Sequence, residues 1–219
     1  MTGALHHDRA YFEAMYSERH DPWGFDDRWY ERRKFALTIA SLPQARYRRA
    51  YEPGCANGAL SELLADRCEE LIAAELLDEV AARARARLAV AANVEVVTGS
   101  LPQYWPAGTG DLVVWSEIAY YLTDAGAQEA IDGLDAWLEP GGDLLAVHYT
   151  GTTDYPRSGT SIVPWLDGVA FLDRLLVHTD EQFELALWRR PRSRSGQGSD
   201  DSSVPNPARN ECGVSGGHR

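Results

Sequence analysis

The chain has 219 residues, 44% of them hydrophobic, and is long enough to bury one full core. Its net charge of −12 would repel a phosphate backbone, which argues against nucleic acid as a partner and favours a small molecule, with a cationic one fitting the charge best. The sequence shows neither an apolar run long enough for a membrane span nor a secretory signal, so we expect a cytoplasmic protein without a membrane partner. The three cysteines lack metal-ligand spacing, so we expect neither a disulfide framework nor a metal site.

In chain order, the sequence predicts two helices and then a regular alternation of strands and helices. The first two helices are expected over 6–19 and 29–41. The alternation predicts strands at 49–52, 70–75, 94–98, 111–116 and 143–149, and helices at 59–67, 79–90 and 125–138. A turn at 139–142, a helix over 162–173 and a hairpin pairing 174–178 with 184–189 complete the expected elements. This alternation predicts an α/β fold with a mostly parallel sheet and helices on both faces.

These patterns divide the chain into three parts. Residues 1–48 are expected to form an N-terminal helical cap, and residues 49–190 the sheet domain. From 191 to 219 the composition turns to Ser, Gly, Pro, Asn and Arg with few large apolar residues. We therefore predict a disordered tail over those residues.

The segment AYEPGCANG, residues 50–58, places an acidic residue and several small residues in a predicted strand-to-helix turn. Glycine there lets the backbone approach a ligand, and the N–H groups that open the next helix favour negative charge, so we expect a nucleoside-containing cofactor. The pattern resembles the first motif of class I S-adenosylmethionine (SAM)-dependent methyltransferases. Alanine replaces the middle glycine of that motif, a change the turn tolerates if the alanine has a negative φ. The candidate cofactor-binding residues are Glu52, Gly54, Cys55, Ala56 and Gly58, with Cys55 interpreted as a small filler behind the cofactor.

Further cofactor-binding candidates lie where later strands end, the edge at which open α/β sheets bind ligands. Glu75 ends the second predicted strand, where a carboxylate accepts hydrogen bonds from both hydroxyls of a ribose. Ser100 and Leu101 follow the third strand, where the methyltransferase pattern places contacts to adenine. Ser116 ends the fourth strand, near the expected methionine part of the cofactor.

The same edge supplies three candidates for catalysis. Glu117 and Tyr121 follow the fourth strand and are expected close to the acceptor. Because adjacent residues point in different directions, at least one of Tyr120 and Tyr121 is expected to be structural. His148, near the end of the fifth predicted strand, is the imidazole best placed to act as a base, with a structural role as the open alternative.

Three further motifs carry a wider resemblance. They are DPW at 21–23 followed by WYERRK at 29–34, the run SEIAYYL at 116–122, and LEPGG at 138–142. In this order, over about residues 11–189, the chain resembles the nodulation protein S family of small SAM-dependent methyltransferases. The resemblance implies a Rossmann-like fold with a seven-stranded sheet and a C-terminal β-hairpin. It also implies that Trp23, Tyr30 and Lys34 close over the cofactor or the acceptor.

The resemblance implies transfer of a methyl group from SAM to a small molecule, with the amine of an amino sugar in an oligosaccharide as the expected acceptor. O-methylation of a small molecule is one alternative, and a SAM-binding protein without turnover is another. An NAD-dependent oxidoreductase is a third, although its fingerprint would need glycine at 56 and 59, where the chain has alanine. The identity of the acceptor and the oligomeric state stay open.

Overall fold

The computed structural model describes residue 5 and residues 9–192. A short 3₁₀ turn, Ala119–Tyr121, follows the fourth strand. The helices and strands of the described residues are α1 (Arg9–Glu18), α2 (Trp29–Ala40), β1 (Tyr47–Pro53), α3 (Ala59–Ala65), β2 (Cys68–Glu75), α4 (Asp78–Arg87), β3 (Val94–Thr98), β4 (Gly110–Ser116), α5 (Asp124–Trp137), β5 (Leu138–Tyr149), α6 (Gly159–Asp167), β6 (Asp173–Thr179) and β7 (Phe183–Arg189). The tail expected over 191–219 lies, from residue 193 onward, outside the described residues.

The strands form one sheet in the order β3-β2-β1-β4-β5-β7-β6. Strands β1 to β5 run parallel, and β7 lies antiparallel between β5 and β6. This architecture confirms the predicted α/β fold with a C-terminal hairpin. The strand order reverses between β1 and β4, which opens a crevice at the carboxyl ends of these strands.

Alternating side chains of the buried strands reach the two faces of the sheet. Leu112 and Val114 of β4 pack on the face covered by α2 and α3, whereas Val113 and Trp115 pack on the face covered by α5 and α6. Both faces are therefore apolar and covered, as a central parallel strand requires. None of the helices in the described part of the chain is long and apolar enough to cross a membrane.

Predicted elements before residue 138 match the structure to within three residues at either end, but two later expectations were wrong. The expected turn at 139–142 is instead the irregular start of β5, because the Gly141 N–H donates to Arg190 O and Gly142 O accepts from Arg190 N–H. The helix expected over 162–173 spans Gly159–Asp167. It ends in short-range bonds from Gly168 N–H to Trp165 O and from Val169 N–H to Leu166 O, which tighten its last turn.

We predict that Asp143→Ala lowers the free energy of unfolding by about 2–4 kcal/mol. The fully buried Asp143 carboxylate accepts a 2.7 Å hydrogen bond from the Tyr47 hydroxyl and bonds of 2.8 and 3.1 Å from Arg189. Its loss leaves a buried hydroxyl without its acceptor. Chemical denaturation measures the change, with Asp173→Ala, an exposed position, as the control. Equal midpoints for the two variants would contradict this account.

Candidate functional site

A cavity of about 760 Å³ lies at the carboxyl ends of β1, β2 and β4. Helices α1 and α2 form its outer wall, and its lining is largely aromatic with several carboxylates. Every candidate residue from the sequence except Gly58 and His148 lines this cavity. Aromatic rings of the N-terminal segment reach it in a chain of contacts, with Trp23 packed between Tyr16 and Phe25 at centroid distances of 5.4 and 5.7 Å.

The turn after β1 approaches the cavity closely. Gly54 has φ +75°, and a Cβ there would lie 2.4 Å from a methyl carbon of Ile118. Ala56 has φ +49°, so the condition of a negative φ at this position was wrong. The strained conformation is held by the Ala56 N–H, which donates to Glu75 Oε2 over 3.1 Å. Side-chain bulk is thus excluded where a ligand would meet the backbone.

Glu75 stands at the end of β2 as a buried acceptor. Its Oε1 accepts from Leu77 N–H over 3.0 Å, and its Oε2 accepts from Ala56 N–H. Burial raises the pKa of Glu75, while these backbone donors act in the opposite direction. Because each carboxylate oxygen has two lone pairs, both retain capacity for a ligand hydroxyl.

Other residues of the turn have structural surroundings. Glu52 accepts a 2.6 Å hydrogen bond from the Ser61 hydroxyl, and burial raises the pKa of Glu52 to about 7. Cys55 is buried, which raises the pKa of its thiol well above the usual range and keeps it neutral. Gly58 does not line the cavity, which corrects the expectation that it binds the cofactor. A Cβ at Gly58 would contact Leu88, so its smallness serves packing of the α3 start against α4.

A buried charge cluster joins α2 to the end of β4. Lys34, 1% exposed, places Nζ 2.6 Å from Glu117 Oε1 and 2.8 Å from Glu31 Oε2. Burial opposes the charge on Lys34, but the two carboxylates outweigh it and raise the Lys34 pKa. With all three groups ionised the cluster carries a charge of −1. The cavity wall therefore favours a cation.

Glu117 is held rigidly within this cluster. It has φ +59°, and its Oε2 accepts from the Tyr120 hydroxyl over 2.7 Å and from Tyr149 N–H over 2.9 Å. Burial alone would raise the pKa of Glu117, but the Lys34 ammonium outweighs burial and lowers it. Glu117 is thus a fixed anion with its oxygens occupied by protein donors.

The structure places His148 outside the cavity, so the predicted role of His148 as a base is not supported. The ring is 1% exposed, and Nε2 accepts a 3.0 Å hydrogen bond from Ala119 N–H. Burial lowers the pKa of His148 to about 4, so the imidazole is neutral at physiological pH. His148 therefore positions the turn that carries Tyr120 and Tyr121.

Both tyrosines of that turn line the cavity and are also buried in the hydrophobic core, so lining and structural roles are combined in both. The tight 3₁₀ turn brings the rings together at a centroid distance of 4.8 Å. Tyr155, from the loop after β5, stacks on Tyr120 at 4.9 Å and meets Tyr121 edge-on at 4.5 Å. Tyr121 thus lies in the cavity wall together with Tyr120 and Tyr155.

Sequence reasoning missed several cavity residues. Glu31 stands directly before three basic residues of α2, a pattern typical of a solvated face. Tyr155 lies in a loop that has no recognisable motif, and Tyr149 stands one residue beyond the histidine that drew attention. Asn57, inside the glycine turn, offered the one available signal, since a polar residue between small ones is suited to contact a ligand.

The comparisons with known proteins agree with this geometry. A family model described as Nodulation protein S (NodS) matches residues 14–147, more than half of the chain. The chain belongs to the nodulation protein S family. Its fold prediction and its family resemblance are both confirmed.

Individual relatives show how far the likeness extends. Nodulation protein S of Rhizobium tropici is 35% identical over 127 residues, which cover 57% of this chain and 53% of that protein. The chain thus spans about half the length of the curated relatives it matches. A solved structure from Pseudomonas syringae, described as a candidate methyltransferase, is 44% identical with a TM-score of 0.67 and covers 74% of this chain and 100% of its own. The N-methyltransferase NodS of Bradyrhizobium japonicum WM9, solved with S-adenosyl-L-homocysteine (SAH), shares the fold at a TM-score of 0.74 and 24% identity, covering 84% and 98% of the two chains.

We predict that His148→Gln weakens the acid sensitivity of the fold. The pKa of His148 is about 4 in the folded state against an ordinary value of 6.5, so the unfolded chain binds the proton more readily. The contribution is complete above about pH 6.5 and is lost as pH falls towards 4, amounting to about 3 kcal/mol in full. Denaturation at several pH values measures the difference between wild type and variant. Parallel pH curves for the two proteins would contradict the buried neutral imidazole.

Proposed function

We propose that the chain is a SAM-dependent methyltransferase that acts on a small molecule. The observation that carries the proposal is Glu75, a buried carboxylate hydrogen-bonded to the strained turn after β1, inside a cavity at the point where the strand order reverses. Membership of the nodulation protein S family supports it, as does the SAH-bound relative with the same fold.

The residues present fit a nucleoside cofactor. Glu75 would accept from the ribose hydroxyls, and the turn at Gly54, which packs against Ile118 and has no side chain, lines the cavity beside it. Ser100 and Leu101 line the cavity beside Glu75, where they would contact adenine. Ser116 lines it as well, where it would lie near the methionine part, and Trp23 lines it as a residue that would close over the cofactor or the acceptor. Gly58 is the one predicted cofactor-binding residue that does not line the cavity.

When bound, SAM supplies a methyl group on a sulfonium, which is already activated for transfer. The chain's own task is then to align the acceptor and to exclude water. Helices α1 and α2 close the cavity over the sheet edge, which is why we propose that residues 1–48 act as a cap on the domain of residues 49–190. Tyr30, Tyr120 and Tyr121 line the cavity, and the face of an aromatic ring attracts a cation such as a sulfonium.

We propose an amine as the acceptor, with an amino sugar as the leading candidate. A hydroxyl acceptor would need a group more basic than a carboxylate beside it, and the neutral imidazole of His148 lies outside the cavity with its Nε2 lone pair occupied. The net charge of −1 on the Lys34 cluster favours a cation, as does the charge of −12 on the whole chain. The same charge disfavours nucleic acid. We also propose that the protein acts in the cytoplasm, where SAM is made available to such enzymes.

We predict micromolar binding of SAH without binding of NADH, and a loss of at least about tenfold in SAH affinity on Glu75→Gln. The amide keeps one acceptor oxygen for the turn but cannot serve both ribose hydroxyls as an anion does. Isothermal titration calorimetry measures both ligands. Glu69→Gln, an exposed position on the same strand, is the matched control. Binding of NADH, or of neither ligand, would remove the proposal.

A further inference from the structure

Glu31 is a buried carboxylate that the charge cluster does not fully satisfy. The residue is 4% exposed and lines the cavity. Its Oε2 lies 2.8 Å from Lys34 Nζ but has no hydrogen-bond partner of good geometry in the described structure. Buried polar atoms almost always have such a partner, so an acceptor of this kind in a cavity wall points to a ligand donor.

The neighbouring residue supports the same interpretation. The Tyr30 hydroxyl is also buried without a hydrogen-bond partner in the described structure, and Tyr30 lines the same cavity. Two consecutive residues of α2 therefore present polar atoms to one space: a hydroxyl without a hydrogen-bond partner, and a carboxylate oxygen whose ion pair with Lys34 lacks good hydrogen-bond geometry. A ligand with a charged donor and a further polar group would satisfy both.

The position of Glu31 separates it from the nucleoside end. Glu75 and the β1 turn lie at one side of the crevice, whereas Lys34 ties Glu31 to Glu117 at the end of β4. Glu117 in turn bonds the backbone of Tyr149 at the end of β5. Since SAM would be anchored at β1 and β2, the half of the cavity near β4 and β5 is left for the acceptor.

We propose that Glu31 binds the ammonium group of the amine acceptor and takes its proton before methyl transfer. This inference rests on the proposed methyltransferase function. Glu117 is less suited to the role, because Lys34 already bonds its Oε1, and the Tyr120 hydroxyl and the Tyr149 N–H fill both lone pairs of its Oε2.

The proton and charge balance is complete. The acceptor enters as R–NH₃⁺ and gives one proton to the Glu31 carboxylate, which leaves R–NH₂ with a free lone pair. That lone pair forms the new N–C bond as the S–CH₃ bond breaks, giving R–NH₂⁺–CH₃ and neutral SAH. Glu31 then releases its proton to water. No oxidant, reductant or further reactant is needed.

The surroundings of Glu31 suit a proton acceptor. Burial raises the pKa of Glu31, and the Lys34 ammonium only partly opposes this. The other groups that face it are Arg28 beside its helix and the fixed anion Glu117 at the end of β4. Tyr120 contacts Glu117 and stays neutral because burial raises its pKa well above the usual range, and the buried His148 is neutral as well. A carboxylate with a raised pKa takes a proton from an ammonium more readily than an ordinary one.

The test compares Glu31→Gln with wild type in methyl transfer from labelled SAM. The acceptors tested are primary amines, beginning with glucosamine and its β-linked dimer. The N-acetylated forms of the same sugars, which carry no amine, are the control compounds. At about pH 7 we expect kcat/KM of the variant to be about a hundredfold below that of wild type. Near pH 9.5 we expect most of this loss to be recovered, because the acceptor is then a free amine and needs no base. Direct titration of SAH-loaded protein should show an amine-over-acetamide preference that Glu31→Gln loses.

Controls separate a chemical role from a structural one. SAH affinity should change less than about twofold in Glu31→Gln. Glu31→Asp should restore part of the rate, and Glu62→Gln, an exposed position, should leave it unchanged.

A Glu31→Gln variant with the wild-type rate and pH profile would overturn the inference. The role of Glu31 would also be overturned if the protein bound SAH but methylated only hydroxyls, or bound and methylated no amine. Either result would leave the cofactor assignment intact. Absence of SAH binding would instead remove the proposed function itself.

Discussion

The ion pair between Lys34 and Glu117 is the interaction on which the cavity depends. Its 2.6 Å contact ties α2 to the end of β4, and with Glu31 it buries three charged groups in one wall. A buried ammonium without a partner would cost several kcal/mol, so α2 can dock only where Glu117 is presented. The helices before the sheet and the sheet edge are therefore coupled, and this wall of the cavity exists only when both are in place.

Backbone strain is concentrated at the same edge. Ala56 and Glu117 are the two non-glycine residues with positive φ in the described part of the chain, and they follow β1 and β4, the strands on either side of the order reversal. Each such conformation costs about 1–3 kcal/mol and persists only where its surroundings enforce it. Glu75 holds the first and the Lys34 pair holds the second. The hydrogen bonds and the ion pair in the cavity wall thus also stabilise the two strained backbone conformations.

Much of the fold could be predicted from the sequence, because strand and helix periods and turn residues are local signals. The β1 turn and Glu75 were located for the same reason, since strand ends place residues at one sheet edge. The sequence does not predict which side chains at that edge face the cavity and which are buried beneath it. His148 and Tyr149 are adjacent in sequence, yet only the second faces the cavity, because alternation along β5 turns the first inward. Glu31 was missed because its burial arises from Lys34 and from the distant Glu117, a tertiary arrangement that no local pattern encodes.

Lys34 is the only lysine in the sequence, and it is almost completely enclosed. Apart from the chain's amino terminus, the molecule therefore offers amine-acylating reagents a single target, which they can reach only when α2 lifts from the sheet edge. In the folded state, acylation of this side chain proceeds no faster than the population of open molecules permits. The rate of labelling at one residue thus reports the free energy of opening the cavity, and a ligand that closes the cavity would slow it in proportion.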